Sequence, residues 1–335
     1  MRLLVTGSAG FIGFHLANRL LDEGHRVLGI DGLTPYYDVG LKRRRHAVLN
    51  EREGFSEQIF MLEDASRLAE VAEAFAPEVI VHLAAQAGVR YSVENPRAYI
   101  ESNVVGTFNL LEASRGLNIR HLLLASTSSV YGGNPRMPFR ETDRTAFPLS
   151  LYAATKAAGE QLVHSYSHLW NLPTTAFRFF TVYGPWGRPD MALFKFVEAI
   201  LAGRPIDVYN DGAMERDFTY VADLVEAIVR LIDVPPRQDH LVGGDSLSPV
   251  APWRVVNIGR GEPVSLMDFI RQIERALGLE ARLNLMPMQA GDVARTFADA
   301  TLLESLTGYR PTTSLAVGVP AFCEWYKSYY GLAVQ

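Results

Sequence analysis

A glycine triplet near the start of the chain limits most strongly what this sequence can fold into. The string VTGSAGFIG places Gly7, Gly10 and Gly13 three residues apart, between the apolar run 2–6 and an amphipathic stretch. Glycine there lets the backbone turn sharply and lets a pyrophosphate approach a helix N-terminus, where free N–H groups favour anions. The triplet therefore predicts a strand, a tight turn and a helix that bind a dinucleotide.

Short β-rich runs alternate with longer helical stretches from residue 1 to about residue 180. The helical stretches carry apolar residues at helical spacing, as at Ile12, Leu16 and Leu20. Because parallel strands need crossover connections, this alternation predicts an α/β fold with a Rossmann-type, doubly wound parallel sheet. The runs predicted as strands cover residues 2–6, 26–30, 58–62, 79–85, 121–126 and 174–179.

The alternation ends near residue 180. Helical patterns at 191–202, 220–232 and 265–278 are separated by proline-containing loops, and the polar segment 233–252 indicates a long surface loop. We therefore expect two domains. A dinucleotide-binding Rossmann domain would span residues 1–179 with a return segment of about 217–260, and a smaller C-terminal α/β substrate domain would comprise about 180–216 and 261–335.

Charge and composition limit the partners. The chain has 32 Lys and Arg against 37 Asp and Glu, a net charge of −5, which argues against nucleic acid or an anionic membrane surface as the main partner. The one basic run, KRRR at 42–45, is interpreted as a solvated helix or loop end. The histidines lack metal-ligand spacing, so no metal is expected. The single cysteine, Cys323, and the lack of an apolar run near ~18 residues favour a soluble cytoplasmic protein.

Two aspartates follow predicted strands where a dinucleotide would bind. Asp31 ends the second predicted strand, and a carboxylate there can bind both ribose hydroxyls while repelling a 2′-phosphate. This favours NAD over NADP, although Asp31 could instead be a turn residue before Gly32. Asp64 follows the third predicted strand and is expected either to accept a hydrogen bond from the adenine amino group or to cap a helix.

The motif YAATK places Tyr152 and Lys156 four residues apart, on one face of a helix. Tyrosine is a poor base because its ordinary pKa is about 10, but a nearby cation and an oxidised nicotinamide would both favour the phenolate. Tyr152 could then take a proton from a sugar hydroxyl. The motif follows the fifth predicted strand and the cluster STSSVYG, whose hydroxyls could relay a proton. The same spacing also occurs on plain helix surfaces.

Several strings together resemble the extended short-chain dehydrogenase/reductase superfamily, which includes the NAD-dependent epimerases and dehydratases. They are the glycine triplet, HLAAQ at 82–86, NVVGT at 103–107, the hydroxyl cluster and YAATK. More narrowly, QAGVRYSVENP, RFFTVYGPWGRPDM, RDFTY and GDVARTFADA are similar to segments of the UDP-glucuronate 4-epimerases, and the similarity runs from residue 1 to about residue 331. One departure is Glu63, which stands where many relatives have glycine.

The resemblance implies a cofactor, a substrate and a set of residues. NAD would be held by Gly7, Gly10, Phe11, Ile12, Gly13, Asp31, Asp64, Leu83, Ala85, Tyr152 and Lys156. The base would be assisted by Thr127 or Ser128, and the UDP-sugar would be bound by Arg90, Thr181, Arg188, Arg216 and Asp292. Relatives of this kind also form homodimers through helices that correspond to about 96–115 and 151–170.

The loop VYGPWGRPDM, residues 182–191, narrows the expected substrate to a sugar acid. An arginine fork matches a carboxylate bidentately, so Arg188 is expected to hold the C6 carboxylate with help from Thr181. The alternative is that Arg188 pairs with Asp190 or caps the helix that begins near Met191. The function expected is 4-epimerisation of UDP-glucuronate and UDP-galacturonate. The alternatives are a UDP-glucose or UDP-N-acetylglucosamine 4-epimerase, a UDP-glucuronate decarboxylase, and a non-catalytic NAD sensor.

Overall fold

The computed structural model describes residues 1–289 and 292–332, so Gly291 of the GDVARTFADA string lies outside the described residues. The first half contains β1 (Arg2–Thr6), α1 (Phe11–Asp22), β2 (Arg26–Asp31), α2 (Val39–Asn50), β3 (Phe55–Ile59), α3 (Ala65–Phe75), β4 (Val79–His82), α4 (Tyr91–Glu94), α5 (Pro96–Tyr99), a π-helical segment (Ile100–Val105), α6 (Gly106–Ser114), β5 (His121–Ala125), a 3₁₀ turn (Ser128–Tyr131), α7 (Leu151–Trp170) and β6 (Thr174–Phe179). The second half contains β7 (Thr181–Tyr183), α8 (Ala192–Leu201), β8 (Ile206–Tyr209), a 3₁₀ turn (Asn210–Gly212), β9 (Glu215–Tyr220), α9 (Val221–Ile232), β10 (Trp253–Ile258), β11 (Pro263–Ser265), α10 (Leu266–Leu277), β12 (Leu283–Met286), β13 (Arg295–Thr296), α11 (Thr301–Thr307) and α12 (Leu315–Tyr329).

Seven strands form one parallel sheet in the order β10-β6-β5-β4-β1-β2-β3. All six predicted strands are present, but β3 lies about three residues earlier than predicted, at Phe55–Ile59. It ends there because Ile59 pairs with Asp31, the last residue of β2. The apolar residues that follow, Phe60 and Leu62, belong to the buried core although they are not in the strand. The seventh strand, β10, was not predicted and lies beside β6 at the sheet edge.

Helices cover both faces of this sheet. Alternate residues of β1 point to opposite sides, so that Leu3 and Val5 pack with α1, α9 and α11, whereas Leu4 packs with α3, α6 and α7. Two buried apolar layers therefore enclose the strands, as expected of parallel sheets. This confirms the predicted α/β, doubly wound Rossmann-type fold.

A second apolar core lies among the later elements. Strands β11, β9 and β13 form a small sheet with β7 beside β9, and β8 pairs with β12. Helices α8, α10 and α12 pack around buried aromatic residues that include Phe194, Phe269 and Phe322. The division into two domains at the predicted boundaries stays a prediction. Within the described residues, no helix has the length and apolar character needed to cross a bilayer.

Candidate active site

The glycine triplet forms a tight turn between β1 and α1. Gly7 has a φ of +74°, and a Cβ on it would lie 2.8 Å from the backbone nitrogen of Ala84. A Cβ on Gly13 would lie 2.1 Å from the carbonyl oxygen of Gly7. Gly10 precedes the first residue of α1 and offers no side-chain cap to it. The turn therefore leaves the N-terminal amides of α1 open toward a ligand, as pyrophosphate binding requires.

Asp31 lies at the carboxyl end of β2, next to this turn. Its Oδ2 accepts a hydrogen bond from the Ala9 amide at 3.0 Å, and its Oδ1 accepts one from the Leu33 amide at 2.8 Å. Each carboxylate oxygen keeps further lone pairs for a second donor. The backbone thus fixes Asp31 with accepting capacity left for ribose hydroxyls.

Of the next two acidic residues, Glu63 lines the cleft and Asp64 does not. Asp64 is exposed, caps α3 by accepting from the Arg67 amide at 3.1 Å, and does not line the cleft. The helix cap, one of the two expectations for Asp64, is therefore present, and its contact with the adenine amino group stays a prediction. Glu63 lines the cleft instead. Its Oε1 accepts from Ser102 at 3.0 Å, while its buried Oε2 has no partner among the described residues.

Tyr152 and Lys156 lie in the first two turns of α7, which Ser150 caps by accepting from the Ala153 amide. Both side chains are more than nine-tenths buried. Burial lowers the pKa of Lys156 to about 8, and the charge of Glu160 partly opposes this shift. A lysine so poised at the base of a cleft is typical of functional sites.

Burial raises the pKa of Tyr152, while the nearby Thr127 hydroxyl and the charge of Arg188 oppose this rise. Lys156 was expected to favour the phenolate, but it is not among the described groups that lower the pKa of Tyr152. Thr127 is buried at the end of β5, whereas Ser128 begins the 3₁₀ turn and is only half-buried. The geometry thus favours Thr127 over Ser128 as the group that assists the tyrosine.

One cleft at the carboxyl edge of the sheet joins most of the predicted residues. It is lined by Gly7, Gly10, Phe11, Ile12, Gly13, Asp31, Leu83, Ala85, Tyr152, Lys156 and Arg188. Thr127, Ser128 and Thr181 are not among its lining residues. Thr181 begins β7, opposite Phe218 of β9.

Arg188 forms a bidentate ion pair with Asp190, the alternative that the sequence left open. Its Nε donates to Oδ1 at 3.0 Å and its Nη2 donates to Oδ2 at 2.5 Å, while the Tyr36 hydroxyl also donates to Oδ2 at 3.0 Å. Burial works against the charged guanidinium, yet Asp190 keeps the pKa of Arg188 above its ordinary value. Within the described part of the chain, no residue accepts from Nη1. One edge of the arginine fork is therefore left for a ligand.

The other predicted substrate residues form a separate cluster outside this cleft. Arg90 Nη2 lies 3.7 Å from Asp292 Oδ2, and its guanidinium lies 4.8 Å from the centre of the Tyr209 ring. Burial lowers the pKa of Arg216, and the charge of Asp292 opposes this shift. The tertiary structure thus brings Arg90, Arg216 and Asp292 together from three distant parts of the sequence.

Comparison with known proteins identifies the family. Residues 3–245 match the model of the NAD dependent epimerase/dehydratase family. The chain belongs to this family. It is 59% identical over 334 residues to the probable UDP-glucuronate 4-epimerase of Rhizobium meliloti (strain 1021), covering 98% of both chains.

Solved structures of epimerase/dehydratase enzymes agree with this assignment. The UDP-glucuronic acid 4-epimerase of Bacillus cereus, in complex with UDP-glucuronic acid and NAD, has a TM-score of 0.89 at 32% identity, with 98% of this chain and 100% of that chain covered. A tyrosine-to-phenylalanine mutant of that enzyme, with NAD and UDP-4-deoxy-4-fluoro-glucuronic acid, has the same TM-score, identity and coverage.

In this member of the epimerase/dehydratase family, the basic run 42–45 is not a solvated helix end. Lys42 and Arg45 are buried on α2, whereas Arg43 and Arg44 are exposed. Lys42 lines the cleft and donates to the carbonyl oxygen of Thr34 at 2.8 Å. The signal available in the sequence was spacing, because 42 and 45 lie on the same side of the helix as the buried Leu41 and Leu49.

Proposed function

We propose that this protein is an NAD-dependent epimerase that interconverts UDP-glucuronate and UDP-galacturonate through a 4-keto intermediate. The observation that carries the proposal is that the glycine turn, the buried pair Tyr152 and Lys156, and the half-paired Arg188 line one cleft. These features supply a dinucleotide site, a base and a carboxylate ligand at one sheet edge. The relatives named above support the choice of UDP-glucuronate.

The residues present fit NAD. The turn has no room for a side chain at Gly7 or Gly13, Asp31 has free accepting capacity, and the orphaned Oε2 of Glu63 matches the amino group of adenine. When bound, the cofactor supplies a hydride acceptor that takes the C4 hydrogen of the sugar and later returns it. The negative charge of Asp31 opposes the 2′-phosphate of NADP.

Tyr152 removes the proton of the C4 hydroxyl as the ketone forms, and returns it after the ketone has turned over in the site. The Thr127 hydroxyl would stabilise the phenolate by donating a hydrogen bond, and Arg188 does so through its charge. Lys156, buried one turn further along α7, would hold the cofactor beside the tyrosine. Arg90, Arg216 and Asp292 would bind the UDP moiety, with the two arginines facing its phosphates.

A uronic acid brings a hazard that this site must suppress. Once C4 is a ketone, the C6 carboxylate belongs to a β-keto acid that loses CO₂ readily. The Nη1 edge of Arg188 could hold this carboxylate, with help from Thr181, while Asp190 fixes the Nε edge. A carboxylate so held cannot easily align its C5–C6 bond with the carbonyl π system, so decarboxylation slows.

The proposal is tested by incubating the purified protein with UDP-glucuronate and, separately, with UDP-glucose and UDP-N-acetylglucosamine, and separating the products. UDP-galacturonate is the expected product. A UDP-pentose with CO₂ would indicate a decarboxylase, turnover of UDP-glucose or UDP-N-acetylglucosamine alone would indicate a neutral-sugar epimerase, and no turnover would indicate an NAD sensor. Arg188→Ala should weaken UDP-glucuronate binding and raise CO₂ release, whereas Arg204→Ala, at an exposed position just after α8, should change neither.

A cytoplasmic homodimer is part of the same proposal. Exposed apolar side chains on α6 and at the end of α7, namely Phe108, Leu169 and Trp170, support a partner surface there. Light scattering of the wild type and of Phe108→Asp measures the assembly. A dimeric wild type and a monomeric variant are expected, and a monomeric wild type would contradict the proposal. The Leu241→Asp variant, which changes a still more exposed apolar residue in the 233–252 loop, is the control.

A further inference from the structure

Three successive backbone carbonyl groups immediately before Arg188 are bound by side chains of α1 and α2. Nε2 of His15 lies 2.8 Å from the Pro185 carbonyl oxygen. Arg45 Nη2 donates to the next two carbonyl oxygens, at 2.5 Å to Trp186 and 3.4 Å to Gly187. Burial lowers the pKa of His15 to about 4, so its ring is neutral at pH 7 and donates through Nε2. The segment 185–187 is thus bound to α1 and α2.

The same guanidinium also holds the glycine turn. Arg45 Nη1 donates to the carbonyl oxygen of Ala9 at 2.8 Å and to the Tyr37 hydroxyl at 2.9 Å. Ala9 lies between Gly7 and Gly10. One side chain therefore connects the turn that would bind the pyrophosphate with the loop that carries Arg188.

Arg45 is fully buried and forms no ion pair with any described Asp or Glu. A buried cation without a counter-ion is less favourable than an apolar residue of the same size. The Nε of Arg45 is also buried and has no hydrogen-bond partner among residues 1–289 and 292–332. Packing alone does not explain an arginine at this position, whereas a bridge to four oxygen acceptors beside an anion site does.

The loop it holds has an unfavourable backbone. Trp186 has a φ of +60° and Gly184 a φ of +145°. A left-handed conformation at a bulky residue is strained and persists only where surrounding contacts enforce it. Arg45 donates to the carbonyl oxygen of Trp186, and the Trp186 ring packs against Phe14 with the ring centroids 5.1 Å apart.

We propose that Arg45 is a positioning residue that fixes the Arg188 loop to the glycine turn and thereby holds Arg188 in register with the cofactor. The inference rests on the proposed function, because it acts through the carboxylate contact of Arg188. When that contact loosens, the C5–C6 bond of the 4-keto acid breaks and its electron pair forms the enolate at C4. CO₂ leaves, C5 takes a proton from water, and the two electrons removed from C4 stay on the cofactor.

The test compares Arg45→Met and Arg45→Lys with Arg43→Met, an exposed neighbour in the same basic run. Calorimetry of the NAD-loaded protein measures the dissociation constants of UDP-glucuronate and UDP-glucose. Arg45→Met should weaken UDP-glucuronate about tenfold and UDP-glucose less than about twofold, because only the acid reaches Arg188. Arg45→Lys should lie between, and Arg43→Met should match the wild type. During turnover of C6-labelled substrate, CO₂ release should be highest for Arg45→Met, lower for Arg45→Lys and at the wild-type level for Arg43→Met.

Two further measurements separate positioning from general damage. In the Arg188→Met background, Arg45→Met should add no further loss of UDP-glucuronate affinity, because residues that act as a unit are not additive. Calorimetric titration with NAD and thermal unfolding show whether each variant is folded, and Arg45→Lys carries the test if Arg45→Met does not fold. Equal weakening of both sugars, or additive losses in the double variant, would overturn the inference. The binding measurements remain decisive even if the wild type does not epimerise UDP-glucuronate, an outcome that contradicts only the proposed function.

Discussion

Arg178 and Glu160 form a bidentate ion pair beneath the cleft, with Nε–Oε1 at 2.8 Å and Nη2–Oε2 at 2.6 Å. Both side chains are almost completely buried, at 4% and 1% exposure. Ser126 also donates to this carboxylate, and Glu160 follows Lys156 by one turn of α7. The pair therefore joins strand β6 to the helix that carries the proposed base.

Removal of this carboxylate charge should destabilise the fold strongly. Glu160→Gln leaves Arg178 buried without a counter-ion, which typically costs about 3–5 kcal/mol. Urea unfolding measures the change in the free energy of unfolding. The control is Glu198→Gln, whose partner Arg204 is as exposed as itself and whose loss should cost at most about 1 kcal/mol. A similar small change in both variants would show that the buried pair does not support the fold.

Lys156 makes the stability of the cofactor-free protein depend on pH. Burial lowers its pKa from 10.5 to about 8, so between these values the unfolded chain binds more protons than the folded one. The free energy of unfolding contributed by this group therefore rises with pH through that window and is lowest below about pH 8.

Lys156→Met should lack this rise and be more stable than the wild type at pH 7, by up to about 3 kcal/mol. Urea unfolding at pH 7 and pH 9.5 measures the difference between the two proteins. Lys195→Met, which changes an exposed lysine of α8, should follow the wild-type pH profile. If the free energy of unfolding changes with pH equally in the wild type and in Lys156→Met, the pKa of Lys156 is not lowered in the folded protein.

Thr127 and Ser128 should differ in their effect on the tyrosine base. Burial raises the pKa of Tyr152 and Thr127 opposes this, so Thr127→Val should move the alkaline rise of kcat to higher pH. The loss of a hydrogen bond to a charged group should reduce kcat about tenfold to a hundredfold at pH 7. Ser128→Ala should leave the profile in place. A shift in the Ser128 variant alone would reverse the assignment.

Substitutions at Glu63 and Asp64 form a matched test of which acidic residue recognises the cofactor. Glu63→Ala removes a carboxylate that lines the cleft and has one oxygen without a partner among the described residues, and should remove an about tenfold preference for NAD over nicotinamide hypoxanthine dinucleotide, which has no amino group. Calorimetry on cofactor-free protein measures both affinities. Asp64→Ala should keep the preference and cost about 1 kcal/mol of stability as a lost helix cap. If Asp64→Ala removes the preference instead, the sequence-based assignment was right.

Local sequence patterns predicted much of the fold and of the candidate site. Strand β6 agrees with its prediction at both ends, because its β-rich run is buried along most of its length. Strand β3 does not, since pairing with β2 and not apolar content decides where it ends. Strand β10 was missed because it follows a 20-residue polar loop and is recognised only by its pairing with β6.

Spacing within one turn or one helix is enough to predict the glycine turn, the carboxylate after β2 and the shared face of Tyr152 and Lys156. The burial of Arg45 depends instead on long-range contacts. Its acceptors include the carbonyl oxygen of Trp186, 141 residues away. A charged side chain can be buried only where other segments of the chain supply hydrogen-bond acceptors for it. Residue type alone does not show whether the fold brings such acceptors close.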